Sequence, residues 1–241
     1  MSPTRTWLVL DFDGVVCDAL SECAALTRAA AGPGPGLPTL DEAIAALTPQ
    51  LLARFASVRP YCRTLADFMV TNAVTAAVTS REEFEAAKAA AGPELLDAQA
   101  AHAQQIRDAW RADEPEAWLD MHIPYAGVPD LIRGAGGPVA IVSNKDGESI
   151  DAILTHLGLR GDVAIIAGAC ADKPAAVARL IGEHASASFI DDNLANVFAV
   201  AAVPRVRSLW ATWGYHSRED ITQALTAGVP TLALGELAAV A

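Results

Sequence analysis

WLVLDFDGVV, residues 7–16, sets an unbroken apolar run directly against two acids, Asp11 and Asp13, with a glycine, Gly14, behind them. An apolar run without alternation is the pattern of a strand covered on both faces rather than one with a wet side. The arrangement recurs far along the chain in SFIDDNLAN, residues 188–196, where Asp191 and Asp192 close a second such run. Carboxylates gathered at the carboxyl ends of buried strands repel one another, and their partial burial costs free energy unless something positive sits among them. A divalent cation is the simplest candidate, so the four acids point to one metal-assisted site.

Outward from these stretches, short apolar runs bounded by Gly, Pro, Asn or Asp recur at Thr6–Phe12, Val139–Val142, Val163–Ala167, Ala187–Asp191, Val206–Ala211 and Thr231–Leu234. Helix-length amphipathic segments, Glu148–Leu157 and Lys173–Ala185 among them, lie between several of the runs. That alternation predicts an α/β fold, a doubly wound and mostly parallel sheet with helices on both faces. Open sheets of this kind take ligands in the crevice beyond the carboxyl ends of their strands, which is where the acids fall.

From about Cys17 to Pro124 the composition changes to Ala-rich segments with helical periodicity and no strand-like run. Helices are predicted over Leu40–Ala56, Leu65–Val78, Arg81–Ala91 and Leu95–Trp110, with breaks at Gly32–Pro38, Pro49, Pro60 and Pro93. Residues 1–16 and 125–241 are thus expected to form the α/β core and 17–124 an inserted α-helical domain, with re-entry near Gly127 and Pro129. A chain of 241 residues suits one core with a smaller companion.

A net charge of −12 speaks against binding nucleic acid or an anionic membrane, both of which select basic surfaces. No apolar stretch is long enough to span a bilayer, and MSPTRTW lacks the order of a signal peptide, so a cytoplasmic location is the default expectation. The four cysteines, Cys17, Cys23, Cys62 and Cys170, show no metal-ligand spacing and read as reduced packing thiols. His102, His122, His156 and His184 show no ligand pattern either, and periodicity does not decide the oligomeric state.

Taken in order, Asp11-Phe12-Asp13-Gly14-Val15, Ser143-Asn144, Lys173-Pro174 and Asp191-Asp192 with Asn196 stand at predicted strand ends or helix starts. The chain so resembles the haloacid dehalogenase superfamily over nearly its whole length, with the insert where that family carries its α-helical cap domain. The resemblance implies a phosphatase acting on a small phosphorylated metabolite, with Asp11 attacking phosphorus to give an aspartyl-phosphate. Asp13, on the same face two residues on, is then the general acid and base, and its presence favours phosphoryl transfer over halide removal. Gly14 lets the chain turn beneath the site. By the same resemblance Ser143 and Asn144 donate to the phosphate oxygens and Lys173 supplies fixed positive charge. Mg2+ is the implied cofactor, held by Asp11, the main-chain carbonyl of Asp13, and Asp192, with Asp191 in support. Asn196 departs from the acid that many members carry there.

Other residues compete for roles. Lys145 directly follows the second motif but lacks the Lys-Pro context that favours Lys173. WATWGYHS, residues 210–217, resembles a loop of phosphoglycolate-phosphatase-like members; packing is the better expectation for its aromatics, and His216 is expected to be exposed. Arg59, Tyr61 and Arg63 are expected at the solvated surface. The same core also serves phosphomutases, phosphonate hydrolases that need a cap lysine (Lys88 is the insert's lone lysine), and non-catalytic phospho-ligand-binding proteins.

Overall fold

The computed structural model describes residues 6–32 and 36–240. Within them the chain forms two compact units by the density of its contacts, one holding the chain up to Asp18 and again from Ile123, the other Ala19–His122. Part of the expected break at Gly32–Pro38, and the start of MSPTRTW, lie outside the described residues.

The first unit carries the described strands: β1 (Thr6–Leu10), β2 (Cys17–Asp18), β3 (Ile123–Pro124), β4 (Val139–Val142), β5 (Val163–Ala167), β6 (Ser186–Asp191), β7 (Val206–Ala211) and β8 (Thr231–Leu232). Six form one sheet in the order β5-β4-β1-β6-β7-β8, and every pairing in it is parallel. The strand order reverses about β1, so the crevice of such a sheet opens beyond the ends of β1, β4 and β6. In β4 all four residues are buried, and β1, β6 and β7 each bury their final three or more, which is why these segments read as unbroken apolar runs. Val9, Ala140, Val142, Ala187 and Phe189, alternate residues of adjacent strands, form one core with Val177, Ile181 and Val200 from the covering helices.

The helices that follow the strands are capped by short polar side chains. Asp146 accepts from the Ser149 amide at the start of Gly147–His156, Asp172 from Ala175 at the start of Lys173–Ile181, and Asn193 from Ala195 and Asn196 at the start of Leu194–Ala201. A cap fixes where each helix begins, and hence the length of the loop between it and the strand before it.

β2 and β3, two residues each, pair antiparallel in a separate ribbon and are too short to leave a periodic signal. The second unit is helical. The periodic stretch Leu40–Ala56 divides at the expected break, Pro49, into Leu40–Ala45 and Pro49–Val58, because Thr48 caps a new start with Pro49 in its first turn. Leu65–Val78 yields only two single turns, Leu65–Phe68 and Val70–Ala73, before Val74 becomes extended (φ −104°, ψ 147°). The β-branched run Thr71, Val74, Thr75 and Val78 weakens helix there. Lys173–Ala185 stops at Ile181, where Gly182 turns to φ 54°. No helix among the described residues is long and apolar enough to cross a membrane.

Candidate active site

β1 ends at Leu10 and hands Asp11 to the crevice, with the Asp11 amide still donating to Ile190 of β6 at 2.9 Å. Asp191 is the last residue of β6 and Asp192 follows it. One oxygen from each of Asp11, Asp191 and Asp192 lies within 4.8 Å of the other two. The two acidic stretches of the sequence are therefore brought together by the pairing of β1 with β6.

The three carboxylates are not equivalent. Asp191 is fully buried and both its oxygens are taken: Oδ2 accepts from Lys173 Nζ at 2.7 Å and Asn196 Nδ2 at 3.1 Å, and Oδ1 from the Asn193 amide at 2.8 Å. Burial, and repulsion from Asp11, push its carboxyl up to about 6 despite the neighbouring Lys173. Asp11 turns Oδ2 to Lys173 Nζ at 3.0 Å, while its buried Oδ1 accepts no hydrogen bond from the described residues. Asp192 Oδ2 accepts from the Tyr215 amide at 2.6 Å. Lys173 itself is 3% exposed; burial works against its charge, but Asp11 and Asp191 outweigh that and hold the ammonium above its ordinary value.

The fit to a divalent cation can be judged from these contacts. A buried carboxylate oxygen without a donor, as Asp11 Oδ1 is among the described residues, is expensive, and Asp11 contributes an oxygen to the close group it forms with Asp191 and Asp192. Hard cations of the magnesium type take oxygen ligands of this kind. Asp191, saturated by nitrogen donors, suits the supporting place better than a ligand place, and Asn196, the departure from the common acid, is one of those donors.

Glycine is required at two points around Asp192. A Cβ on Gly14, which has φ 90°, would lie 2.1 Å from Asp192 Oδ2. One on Gly214 would lie 2.4 Å from Asp192 Cβ and 2.3 Å from the Gly14 carbonyl oxygen. No side chain fits either place without moving the carboxylate.

Ser143 and Asn144 follow β4 at the same end of the sheet; Ser143 is buried and Asn144 exposed. Asp13 lies outside the close carboxylate group, its side chain facing Lys145, whose Nζ is 3.3 Å from Oδ1 and 3.4 Å from Oδ2. Lys145, which sequence reasoning placed second to Lys173, is buried with Asp13 as its partner. Its position directly after Ser143-Asn144 was the available signal.

The stretch from the end of β7 into the following loop also does more than pack. Trp210 donates from Nε1 to the Asp192 carbonyl at 2.7 Å, Trp213 to the Val15 carbonyl at 3.3 Å, and the Tyr215 hydroxyl to Asp18 Oδ1 at 2.7 Å. It thereby stitches both acidic loops. His216 is half-buried rather than exposed, bonded through Nε2 to the Thr212 carbonyl oxygen and edge-on to Trp210. Tyr61, expected at the surface, is 3% exposed and stacks on Phe84 in the helical unit; Arg59 lies over Phe68, and Arg63 is exposed. All four cysteines are free thiols. Burial, then the Asp13 charge, push the Cys17 thiol far up, so it is no nucleophile.

With this geometry in hand, a comparison with protein families matches residues 6–203 to the haloacid dehalogenase-like hydrolase model. The chain belongs to the haloacid dehalogenase-like hydrolases. Among solved structures it is similar to a predicted phosphatase from Clostridium acetobutylicum, at 16% identity, 95% of this chain, 94% of the other and a TM-score of 0.60. It is also similar to a predicted phosphoglycolate phosphatase from Haemophilus somnus, at 16% identity, 93% and 92% coverage and a TM-score of 0.60. A third is Protein Tyrosine Kinase A of Mycobacterium tuberculosis, at 19% identity, 93% and 99% coverage and a TM-score of 0.51. At these identities the likenesses establish the fold. None of the curated proteins matches the sequence.

Proposed function

We propose that this chain is a magnesium-dependent phosphatase that releases phosphate from a small phosphorylated metabolite through an aspartyl-phosphate on Asp11. The observation that carries this is the divided Asp11 carboxylate: Oδ2 is fixed by Lys173 at 3.0 Å, and Oδ1 is buried without a donor. A structural carboxylate would have both oxygens occupied, as Asp191 does.

An Asp11 oxygen bonds to phosphorus as the ester P–O bond breaks, and the departing oxygen takes the electron pair of that bond and the proton held by Asp13. Water then loses a proton to Asp13, its oxygen bonds to phosphorus, and the acyl P–O bond breaks. The Asp11 carboxylate is restored and hydrogen phosphate leaves. Lys173 holds Asp11 in place and adds positive charge near the phosphate oxygens, to which Ser143 and Asn144 donate. Asp11, Asp192 and the Asp13 carbonyl would hold magnesium, whose charge lets a carboxylate approach a phosphate dianion.

The same fold carries a chain named as a kinase, so fold alone leaves the acceptor open; a nucleophilic Asp11 paired with the acid Asp13 supports water. The phosphatase names of two of the structural neighbours support the same choice. Phosphonate hydrolysis through a cap lysine is disfavoured, because Lys88 Nζ donates to Asp67 at 2.6 Å and that bond holds its ammonium above the ordinary value. An amine kept charged does not attack a carbonyl.

The test is phosphate release from an aryl phosphate with and without magnesium, comparing the parent with Asp11→Asn. A loss on the order of a thousandfold in the variant, and dependence of the parent on magnesium, are expected. Equal background rates would overturn the reading in favour of a binding protein. A panel of phosphorylated metabolites including sugar bisphosphates separates hydrolysis from mutase transfer.

A further inference from the structure

Lys145 lies outside the four motifs, yet it is among the most buried charged groups of the sheet unit: its side chain is 3% exposed. An ammonium in such a place is costly unless a partner compensates it. One partner is Asp13, and the contact differs in form from the Lys173–Asp191 and Lys88–Asp67 contacts. Lys173 meets Asp191 at 2.7 Å and Lys88 meets Asp67 at 2.6 Å, each through a single short bond. Lys145 instead straddles both Asp13 oxygens, at 3.3 and 3.4 Å. A straddling charge fixes the plane of a carboxylate without saturating either oxygen, and Asp13 Oδ1 accepts no hydrogen bond from the described residues.

The backbone beneath Lys145 is held as firmly. Its amide donates to Ser143 Oγ at 3.4 Å, and its carbonyl accepts from the Ala169 amide at 2.8 Å. Ser143 on the same stretch donates its amide to Ala167 and accepts from Cys170. Ala169 makes its bond from φ 51°, a left-handed conformation that a residue with a Cβ adopts only when its surroundings impose it. Strain at Ala169 and burial at Lys145 thus serve one end, the fixed placement of an ammonium against Asp13.

On the phosphatase reading above, we infer that Lys145 is a positioning residue that holds the Asp13 carboxyl in line for proton transfer to the leaving oxygen. Ser143 and Asn144 face the phosphate oxygens, and Lys145, the next residue, aims the acid. The three-residue stretch so couples phosphate binding to proton delivery. A misplacement of about 1 Å in such a group costs on the order of a hundredfold in rate. That loss falls only on substrates whose leaving group needs a proton.

The test compares kcat/KM, which reports through formation of the aspartyl-phosphate, for a simple alkyl phosphate and for 4-nitrophenyl phosphate. The alkoxide requires protonation; the nitrophenolate leaves without it. Lys145→Met is expected to lower the alkyl value about a hundredfold and the aryl value less than about threefold, with Lys145→Arg recovering most of the alkyl loss. The ratio of the two values is independent of the fraction of variant that folds, so a destabilised preparation still gives an answer. An unchanged ratio in Lys145→Met, whether both rates fall together or neither falls, overturns the proposal and leaves the phosphatase reading intact. Equal phosphate release by the parent and Asp11→Asn would overturn both.

Discussion

Glu22 in the helical unit and Asp11 in the sheet unit are both buried carboxylates beside a buried cation, and the difference between them separates structure from chemistry. Glu22 is 0% exposed and saturated: Oε1 accepts from Arg107 Nε at 2.8 Å and Trp118 Nε1 at 3.2 Å, and Oε2 from Arg107 Nη2 at 3.1 Å and Cys23 Sγ at 3.3 Å. One negative charge meets one positive charge through a fork of parallel bonds, the strongest form of the pair. Around Asp11, four carboxylates (Asp11, Asp13, Asp191 and Asp192) are set among two ammonium groups, Lys173 and Lys145, and Asp11 Oδ1 has no donor among the described residues. The first group is complete within the protein. The second keeps a buried carboxylate oxygen without a donor among the described residues, which is what the proposed cation and phosphate would use.

The widest test of this contrast removes one carboxylate from each group. Glu22→Gln removes the negative charge paired with the buried Arg107 guanidinium and should cost about 3–5 kcal/mol in urea unfolding. Asp11→Asn relieves crowded like charge, and its metal-free stability should be unchanged or higher while turnover is lost. A large stability loss in Asp11→Asn would erase the distinction between the two groups.

A smaller effect sharpens the metal side. Gly214→Ala forces a Cβ to within 2.4 Å of Asp192 Cβ. The carboxylate must shift, so the Kd for Mn2+, read by electron paramagnetic resonance, should rise about 10- to 100-fold, the usual cost of disturbing groups behind a metal ligand. Unaltered binding would show that Asp192 is not held for a cation.

The smallest effect concerns the part-exposed Lys88 and the buried Asp67 it meets. Burial raises the Asp67 carboxyl, but the Lys88 bond and the Arg63 and Thr64 amides outweigh it and leave it below the ordinary carboxylate value. A group lowered on folding contributes stability that is present above its unfolded pKa and lost as pH falls through its folded one. With Lys88 42% exposed, screening limits the contribution to about 0.5–1 kcal/mol. The difference in stability between the parent and Asp67→Asn should therefore be measurable at neutral pH and vanish below the carboxylate range. A difference that persists in acid would assign it to packing instead.

Much of the sheet unit was legible along the chain. The runs at Val139–Val142, Val163–Ala167 and Val206–Ala211 have the observed strand bounds; the first is buried at every residue, and a strand covered on both faces writes its burial into consecutive positions. The helical unit was less so: the break at Pro49 was legible, but the β-branched residues beyond Ala73 cut short the helix expected over Leu65–Val78. In the site, Asp11, Lys173, Asp191 and Asp192 announced themselves by ending strands or opening a helix. Lys145 was legible only as a competitor of Lys173, by its place after Ser143-Asn144, and Gly214 not at all, since a glycine in a loop is an ordinary local event.

The residues alone determined which segments become strands and that acids stand at their carboxyl ends, because burial and helix or strand periodicity act between near neighbours. Tertiary structure alone decided the partnerships: Asp13 with Lys145 across 132 residues, Glu22 with Arg107 across 85, and the Tyr215 amide with Asp192 across 23. Such bonds extend over only about 3 Å. Whether they form depends on how strands from distant parts of the chain pack side by side, which no local pattern records.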